Sequence, residues 1–195
     1  MNYLGHAFLS FGDAQLTVGN LIADHVKGKL ALNNYPEGIR KGIEMHRKID
    51  VFTDTHPASL RAKLWFREAY GLYAGAIIDS LYDHFLANDP KHFPSEKHLL
   101  DFSLNTYSQV AAYEANFPTV FAEYFPYMQQ HNWLYNYRTL PGMKRSLHGL
   151  HRRAKHMPPP EAAYEIFIAH YYELAQCYYE FMDDIVKFVK LELSR

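Results

Sequence analysis

Residues 79–84, with the sequence DSLYDH, place two acidic side chains at helical spacing inside an apolar stretch. Asp79 and Asp83 are four positions apart, and residues i and i+4 share one face of a helix. The surrounding residues 71–87 are mostly apolar, which predicts a buried helix with His84 at the edge of the acidic face. Charged groups are rarely buried among such neighbours without a compensating partner. The segment therefore predicts a helix packed inside a larger assembly of helices, with its carboxylates facing a cation.

A second pair of the same kind lies upstream, where His46 and Asp50 are also four residues apart on an apolar helix. Carboxylate oxygens are the ligands that Mg²⁺ and Mn²⁺ prefer, and Mn²⁺ also accepts imidazole. We therefore predict a divalent metal held inside a helical bundle. The polar residues on apolar helix faces that are available to it are His6, Asn20, Asp24, His46, Asp50, Asp79, Asp83 and His84.

Helical spacing dominates the rest of the chain. Apolar residues recur at intervals of three and four, and no strand-like alternation or internal repeat is evident. The length of 195 residues, with 48% hydrophobic residues, suits one domain with a sizeable core. We predict an all-α, single-domain helical bundle over residues 1–195. The predicted helices span residues 1–11, 13–26, 36–53, 57–70, 71–87, 96–110, 111–125, 143–156 and 161–193, with Pro118 marking a break or kink.

Composition excludes several classes of protein. The net charge of −1 does not indicate a nucleic-acid-binding protein. The single cysteine, Cys177, excludes an intrachain disulfide and suits a reducing compartment. The first residues lack a basic and an apolar region of the signal-peptide kind, and no apolar run reaches the length of a membrane span. We therefore expect a cytoplasmic protein without a membrane span.

Charge is distributed unevenly along the chain. Residues 124–160 contain no Asp or Glu but carry six Lys or Arg residues and four His residues. Charged helices are usually solvated faces, but a local basic helix on a neutral protein also suits an acidic partner. The residues predicted to contact such a partner are Arg145, Arg152, Arg153 and Lys155, with Arg61, Lys63 and Arg67 as a second possible patch.

Several of the metal candidates have a purely structural alternative. A lone histidine such as His6 on an apolar stripe is often a hydrogen-bonded core residue. Asp24 could belong to a polar pair with His25 at a helix end, and Asp50 could pair with Arg47 or a neighbouring lysine. Asp79 and Asp83 are the strongest pair, because the repulsion between two buried like charges has to be offset.

Five short blocks of the sequence resemble a known family. They are MNYLGH at residues 1–6, GNLIAD at 19–24, GIEMHRKID at 42–50, FTD at 52–54 and DHFL at 83–86. In this order they look like the bacterial acyl carrier protein phosphodiesterases. The resemblance is specific up to about residue 90, and beyond it consists mainly of the helical pattern and a stretch near residues 132–138.

The resemblance implies an HD-domain-like fold and a metal-dependent hydrolysis. Such enzymes cleave holo acyl carrier protein into the apo protein and 4′-phosphopantetheine, supported by Mn²⁺ or Mg²⁺. One departure is visible, since the adjacent pair Asp83-His84 reverses the usual His-Asp order. A metal suits this chemistry, because it neutralises phosphate charge and lowers the pKa of a water molecule.

These considerations give a hypothesis for each site residue. Asp24, His46, Asp79 and Asp83 are the predicted metal ligands. His6 or His84 is the predicted general acid or base, or a further ligand. Arg47 is predicted to neutralise the phosphate, and Asp50 to orient His46 or Arg47.

The acyl carrier protein is also the predicted partner, because such proteins are small and acidic and a basic helix would attract them. Two alternatives remain open. One is a helical phosphohydrolase that acts on a nucleotide or another small phosphodiester. The other is a non-catalytic module that binds an acidic protein, in which the His and Asp pairs are structural.

Overall fold

The computed structural model describes residues 1–28 and 30–195, and within these ranges it contains eleven α-helices and no β-strand. This confirms the prediction of an all-α fold, and it fits a single domain. No described helix is both long and apolar enough to cross a membrane. The helices are α1 (Tyr3–Phe8), α2 (Ala14–Ile22), α3 (Glu37–Thr55), α4 (Pro57–Tyr70), α5 (Ala74–Ala87), α6 (Glu96–Ala111), α7 (Thr119–Gln130), α8 (Trp133–Asn136), α9 (Leu140–Arg153), α10 (Glu161–Ala169) and α11 (Tyr171–Leu193).

Local sequence signals explain many of the helix boundaries. Asp13 precedes α2 and its carboxylate accepts a hydrogen bond from the amide of Leu16 at 2.8 Å. Pro57 occupies the first turn of α4, where its missing N–H is not needed. Gly71 ends the same helix with a positive φ of 53°. Thr139 caps α9 by accepting from the amide of Gly142.

Helix α5 lies at the centre of the bundle and contacts α1, α4, α9 and α11. Nearly all of its residues from Ile77 onwards are buried. The prediction that this segment is a buried helix is confirmed. Because α1 packs against it, the N-terminal residues meet the acidic face of α5.

Helices α2 and α3 pack at very short distance because glycines face each other at their crossing. A Cβ atom on Gly19 would overlap the carbonyl oxygen of Ile39 and lie 2.7 Å from the Cα of Gly42. The side chain of His46, four residues beyond Gly42, is thereby brought to the backbone oxygen of Asn20, the residue after Gly19.

Replacing Gly42 by alanine is therefore expected to lower the free energy of unfolding by about 2–3 kcal/mol, because the two backbones must separate. The matched control is Gly149→Ala in α9, where an added Cβ meets no atom within 4 Å. That change is expected to be neutral or to stabilise the helix by up to about 1 kcal/mol. Urea unfolding of both variants measures the difference, and equal stabilities would contradict the close packing of α2 on α3.

Several predicted boundaries differ from the structure by a few residues, as for the helix predicted at 143–156, which is α9 (Leu140–Arg153), and two predicted helices differ more. The predicted helix 161–193 is divided at His170, whose backbone (φ −118°, ψ 31°) leaves the helical region. The His170 ring stacks on Trp65 of α4 with centroids 3.7 Å apart, a tertiary contact that periodicity does not reveal. The predicted helix 111–125 was wrong in its start, because α7 begins only after Pro118, which occupies the position before the first turn.

Candidate metal centre and active site

A pocket of about 260 Å³ lies where α1, α2, α3, α5 and the end of α9 meet. Its wall combines imidazoles, carboxylates and one guanidinium with a few apolar groups. The residues that line it are Met1, Asn2, Tyr3, His6, Asn20, Leu21, Asp24, His46, Asp50, Ala76, Asp79, Leu150 and Arg153.

Two histidines and one aspartate converge in this pocket. The Nε2 atom of His6 lies 3.2 Å from Asp50 Oδ1, and the Nε2 atom of His46 lies 3.1 Å from Asp50 Oδ2. The two imidazole rings stack with centroids 3.9 Å apart. One ligand atom from each of the three residues lies within 4.8 Å of the others, and Asp24 Oδ1 is 3.2 Å from His46 Nε2. The prediction placed His46, Asp50, Asp24 and His6 at one centre, and the structure brings these four together.

Hydrogen bonds on the far side of each ring fix which nitrogen carries the proton. His46 Nδ1 lies 2.8 Å from the backbone oxygen of Asn20, which can only accept, so Nδ1 is protonated. For His6 the partner is the Asn20 side-chain oxygen at 3.3 Å. The amide of Asn20 is oriented by Ser10, whose hydroxyl donates to the His6 carbonyl and accepts from Asn20 Nδ2. In the neutral form of both rings, a lone pair on Nε2 therefore faces Asp50.

The proton equilibria of this cluster are strongly coupled. Burial alone would lower the pKa of His46, but hydrogen bonds to Asp24 and Asp50 and their charges raise it to about 9. Burial and, as a smaller effect, the charge of His46 lower the pKa of His6 to about 4. Burial would raise the pKa of Asp50, yet its close contacts with both histidines hold it well below the usual range. Without a metal, His46 is thus the cation of the cluster near neutral pH.

The donor set fits a divalent transition metal. His6 Nε2 is buried and has no hydrogen-bond partner, because its contact with Asp50 lacks hydrogen-bond geometry. Buried polar atoms of this kind usually have a partner that satisfies them. Two imidazole nitrogens and a carboxylate suit Mn²⁺ or another first-row metal better than Mg²⁺, which prefers oxygen ligands.

Asp79 and Asp83 share a face of α5, as their spacing predicts, but both contact the N-terminal segment. Asp79 Oδ1 lies 2.7 Å from the Met1 amino nitrogen, and Asp79 lines the pocket. Asp83 is fully buried and its oxygens accept hydrogen bonds from the amides of Asn2, Leu4 and Gly5 at 3.1, 2.7 and 3.0 Å. The structure therefore gives Asp83 the position of a cap for α1 and does not bring it to the His6–His46–Asp50 cluster.

His84 and Arg47 also lie apart from the cluster. His84 lines a second cavity of about 290 Å³, and its nitrogens contact the carbonyl of Tyr137 and the hydroxyl of Tyr171 at 2.7 and 3.0 Å. Burial lowers the pKa of His84. Arg47 donates to the backbone oxygen of Val26 at 3.0 Å, and it is not among the residues that line the pocket. The sequence pattern could not show that the adjacent side chains of Asp83 and His84 face different partners.

The four basic residues predicted to contact a partner lie on or just beyond α9, and all are exposed. Arg153 differs from the other three because it also lines the pocket. Tyr3 is a site residue that the sequence analysis did not name as a candidate, and Asn20 was among the polar candidates but received no role. Their signal was their position within the blocks MNYLGH and GNLIAD, three and four residues before His6 and Asp24.

Comparison with known proteins places this geometry in a family. The family model described as acyl carrier protein phosphodiesterase matches residues 1–185. The chain belongs to this family. It is 33% identical to the acyl carrier protein phosphodiesterase of Enterobacter sp. (strain 638), covering 93% of both chains. It is 32% identical to that of Salmonella paratyphi A, with the same coverage. No solved structure gives a significant match to the chain.

Membership confirms the resemblance seen in the sequence and makes the protein a phosphodiesterase of the hydrolase class. It also indicates acyl carrier protein phosphodiesterase activity. The pocket described above is the place in the described structure where histidines and aspartates gather in reach of a cation, and nine of its thirteen lining residues lie in the blocks that carry the resemblance.

Proposed function

We propose that the protein is a metal-dependent phosphodiesterase that hydrolyses holo acyl carrier protein to the apo protein and 4′-phosphopantetheine. Family membership supports the substrate, and the cluster of His6, His46 and Asp50 supports the metal. The observation that carries the proposal is the buried Nε2 of His6, which has no hydrogen-bond partner and faces a second imidazole and a carboxylate.

His6, His46 and Asp50 would hold the cation, with Asp24 beside His46. A divalent cation there supplies positive charge for the phosphoryl oxygens and lowers the pKa of a water molecule. Asn20 fixes both imidazoles with its backbone and side-chain oxygens.

In the reaction, water adds its oxygen to phosphorus, the bond from phosphorus to the carrier protein's oxygen breaks, and that oxygen gains a proton. Asp24, which is largely exposed and not fixed by backbone donors, is the side chain best placed to move this proton.

Mass spectrometry of the carrier protein tests the function. Holo acyl carrier protein is incubated with the enzyme and Mn²⁺, with an EDTA control and with His46→Ala as a second control. We expect loss of the phosphopantetheine mass only with metal and wild-type enzyme. An unchanged mass would remove the proposal, and cleavage of free nucleotides instead would favour an enzyme of small phosphodiesters.

The basic surface of α9 supports recognition of an acidic protein. Arg145, Arg152 and Lys155 are exposed, and within residues 1–28 and 30–195 they form no ion pair with a carboxylate. Other surface cations, such as Lys97 with Asp101, are paired within the chain. Exposed charges of one sign next to the pocket would accelerate association with an acidic partner at low salt.

Reversing the charges of Arg145 and Arg152 to Glu is expected to raise the KM for the carrier protein about tenfold and to flatten its salt dependence. The value of kcat should change little, since neither residue lines the pocket. The matched control reverses Lys97 and Lys187, which are equally exposed but lie on α6 and α11. Steady-state kinetics at two salt concentrations measure the effect, and equal KM values for the two double variants would place the recognition surface elsewhere.

A further inference from the structure

The pocket is lined by charges of both signs. Three carboxylates, those of Asp24, Asp50 and Asp79, line it together with the two histidines. Among the described residues that line the pocket, Arg153 is the single Lys or Arg. It enters from α9, on a different element from every carboxylate, so an anion bound in the pocket beside the cluster would share the cavity with the guanidinium.

Arg153 has not been neutralised by the carboxylates nearby. Other arginines of the described chain form ion pairs, including Arg61 with Glu180 and Arg138 with Glu96. No described carboxylate forms such a pair with Arg153, although it shares a pocket with three of them. A guanidinium offers a planar fork of N–H donors that matches two oxygens of a phosphate group. Its position at the last residue of α9 is also favoured by the negative end of the helix dipole.

Tyr3 provides a polar neighbour for this guanidinium. The Tyr3 hydroxyl lies 2.9 Å from that of Tyr124, which in turn lies 2.7 Å from His25 Nε2. Tyr124 is further held by stacking on Trp133. Tyr3 and Arg153 both line the pocket. Burial raises the pKa of Tyr3, and the positive charge of Arg153 only opposes this rise, so Tyr3 remains a protonated hydroxyl near neutral pH.

We propose that Arg153 binds the non-bridging oxygens of the phosphodiester and is a catalytic residue, unlike Arg145, Arg152 and Lys155, which contact the carrier protein. The assignment rests on the proposed function and refines it. The non-bridging oxygens carry the negative charge of the phosphodiester, and Arg153 is the one Lys or Arg among the described pocket residues that can neutralise it together with the metal. The basic segment at the end of α9 accordingly has two roles: Arg145, Arg152 and Lys155 attract the protein, and Arg153 contacts the phosphate group that is hydrolysed.

Assays with a protein substrate and with a small phosphodiester separate phosphate binding from recognition of the carrier protein. The variants Arg153→Ala, Arg153→Lys and Arg152→Ala are assayed with holo acyl carrier protein and with bis(4-nitrophenyl) phosphate, both with Mn²⁺. Arg153→Ala removes the charge-assisted hydrogen bonds between the guanidinium and the phosphate oxygens. We therefore expect kcat/KM to fall about 10–100-fold with both substrates. With bis(4-nitrophenyl) phosphate, the decrease in kcat/KM for Arg153→Ala should be at least about ten times larger than the decrease for Arg152→Ala. Arg153→Lys should recover only part of the lost activity, because an ammonium lacks the planar fork. Arg195→Ala, which removes an arginine paired with Glu192, serves as the unaffected control.

Binding of inorganic phosphate to the Mn²⁺-loaded protein, measured by calorimetry, decides the assignment independently of the natural substrate. We expect Arg153→Ala to weaken phosphate binding about tenfold or more, and Arg195→Ala to leave it unchanged. If wild-type enzyme fails to cleave the carrier protein while phosphate binding still depends on Arg153, the proposed function is wrong and the role of Arg153 stands. The inference is overturned if Arg153→Ala binds phosphate like wild type, or loses activity only with the protein substrate.

Discussion

Asp50→Asn is expected to lower metal affinity and kcat/KM by at least about 10²-fold while leaving the fold intact. The amide keeps the shape of the carboxylate but removes the charge that holds His6 and His46 beside each other. Asp50 is partly exposed, with 42% of its side chain accessible, so the change buries no unpaired charge. Calorimetric titration with Mn²⁺ and steady-state kinetics measure the two effects.

The same substitution at Asp54 is the matched control, because Asp54 lies one turn further along α3 and pairs with Lys63 at 2.6 Å, away from the pocket. A second readout needs no metal. Because Asp50 helps to raise the pKa of His46 to about 9, Asp50→Asn should lower that pKa in an NMR titration of the metal-free protein. Unchanged metal affinity in Asp50→Asn, or a loss of equal size in Asp54→Asn, would show that the metal is held elsewhere.

Asp83→Ala is expected to destabilise the protein strongly and to leave the metal affinity of the folded protein nearly unchanged. Three backbone amides, those of Asn2, Leu4 and Gly5, would lose their acceptor in a fully buried position. An unsatisfied buried donor costs about 1–3 kcal/mol, so we expect a loss of at least about 3 kcal/mol in the free energy of unfolding. For a chain of this size that lowers Tm by roughly 6–12 °C.

Asp13→Ala is the appropriate comparison, since Asp13 is an exposed residue that caps α2 through one hydrogen bond to a backbone amide, and its loss should cost only about 1 kcal/mol. Thermal unfolding with and without Mn²⁺ separates capping from ligation. If Asp83→Ala kept its Tm but lost metal binding, Asp83 would be a ligand, as the sequence pattern alone predicted. A lowered Tm with normal metal affinity would establish the capping role.

The N-terminal segment explains why these two aspartates behave differently. Asp50 faces the Nε2 atoms of two imidazoles and accepts no backbone hydrogen bond among the described contacts, so its charge remains available to a cation. Asp83 faces backbone amides of α1 and both of its oxygens are already engaged. In sequence the two residues look alike, because each occupies a polar position four residues from another polar group on an apolar helix.

The sequence by itself determined the fold class, most helices and the composition of the site. The periodicity of apolar residues, the cap at Asp13 and the proline at residue 57 act through local backbone geometry, which requires no partner. The spacing of His46 and Asp50 also sufficed to put both side chains on one face of α3.

The tertiary structure alone decided which candidates meet. His6, Asp24 and His46 come from separate elements, and the glycine contact between α2 and α3 together with the packing of α1 on α5 sets their distances. The packing of the helices also decides that Asp83 caps α1. His84 contacts Tyr137 and Tyr171 for the same reason, and Arg153 lies at the pocket. Helical spacing fixes only the direction of a side chain on its own helix, and the group it faces is supplied by another part of the chain.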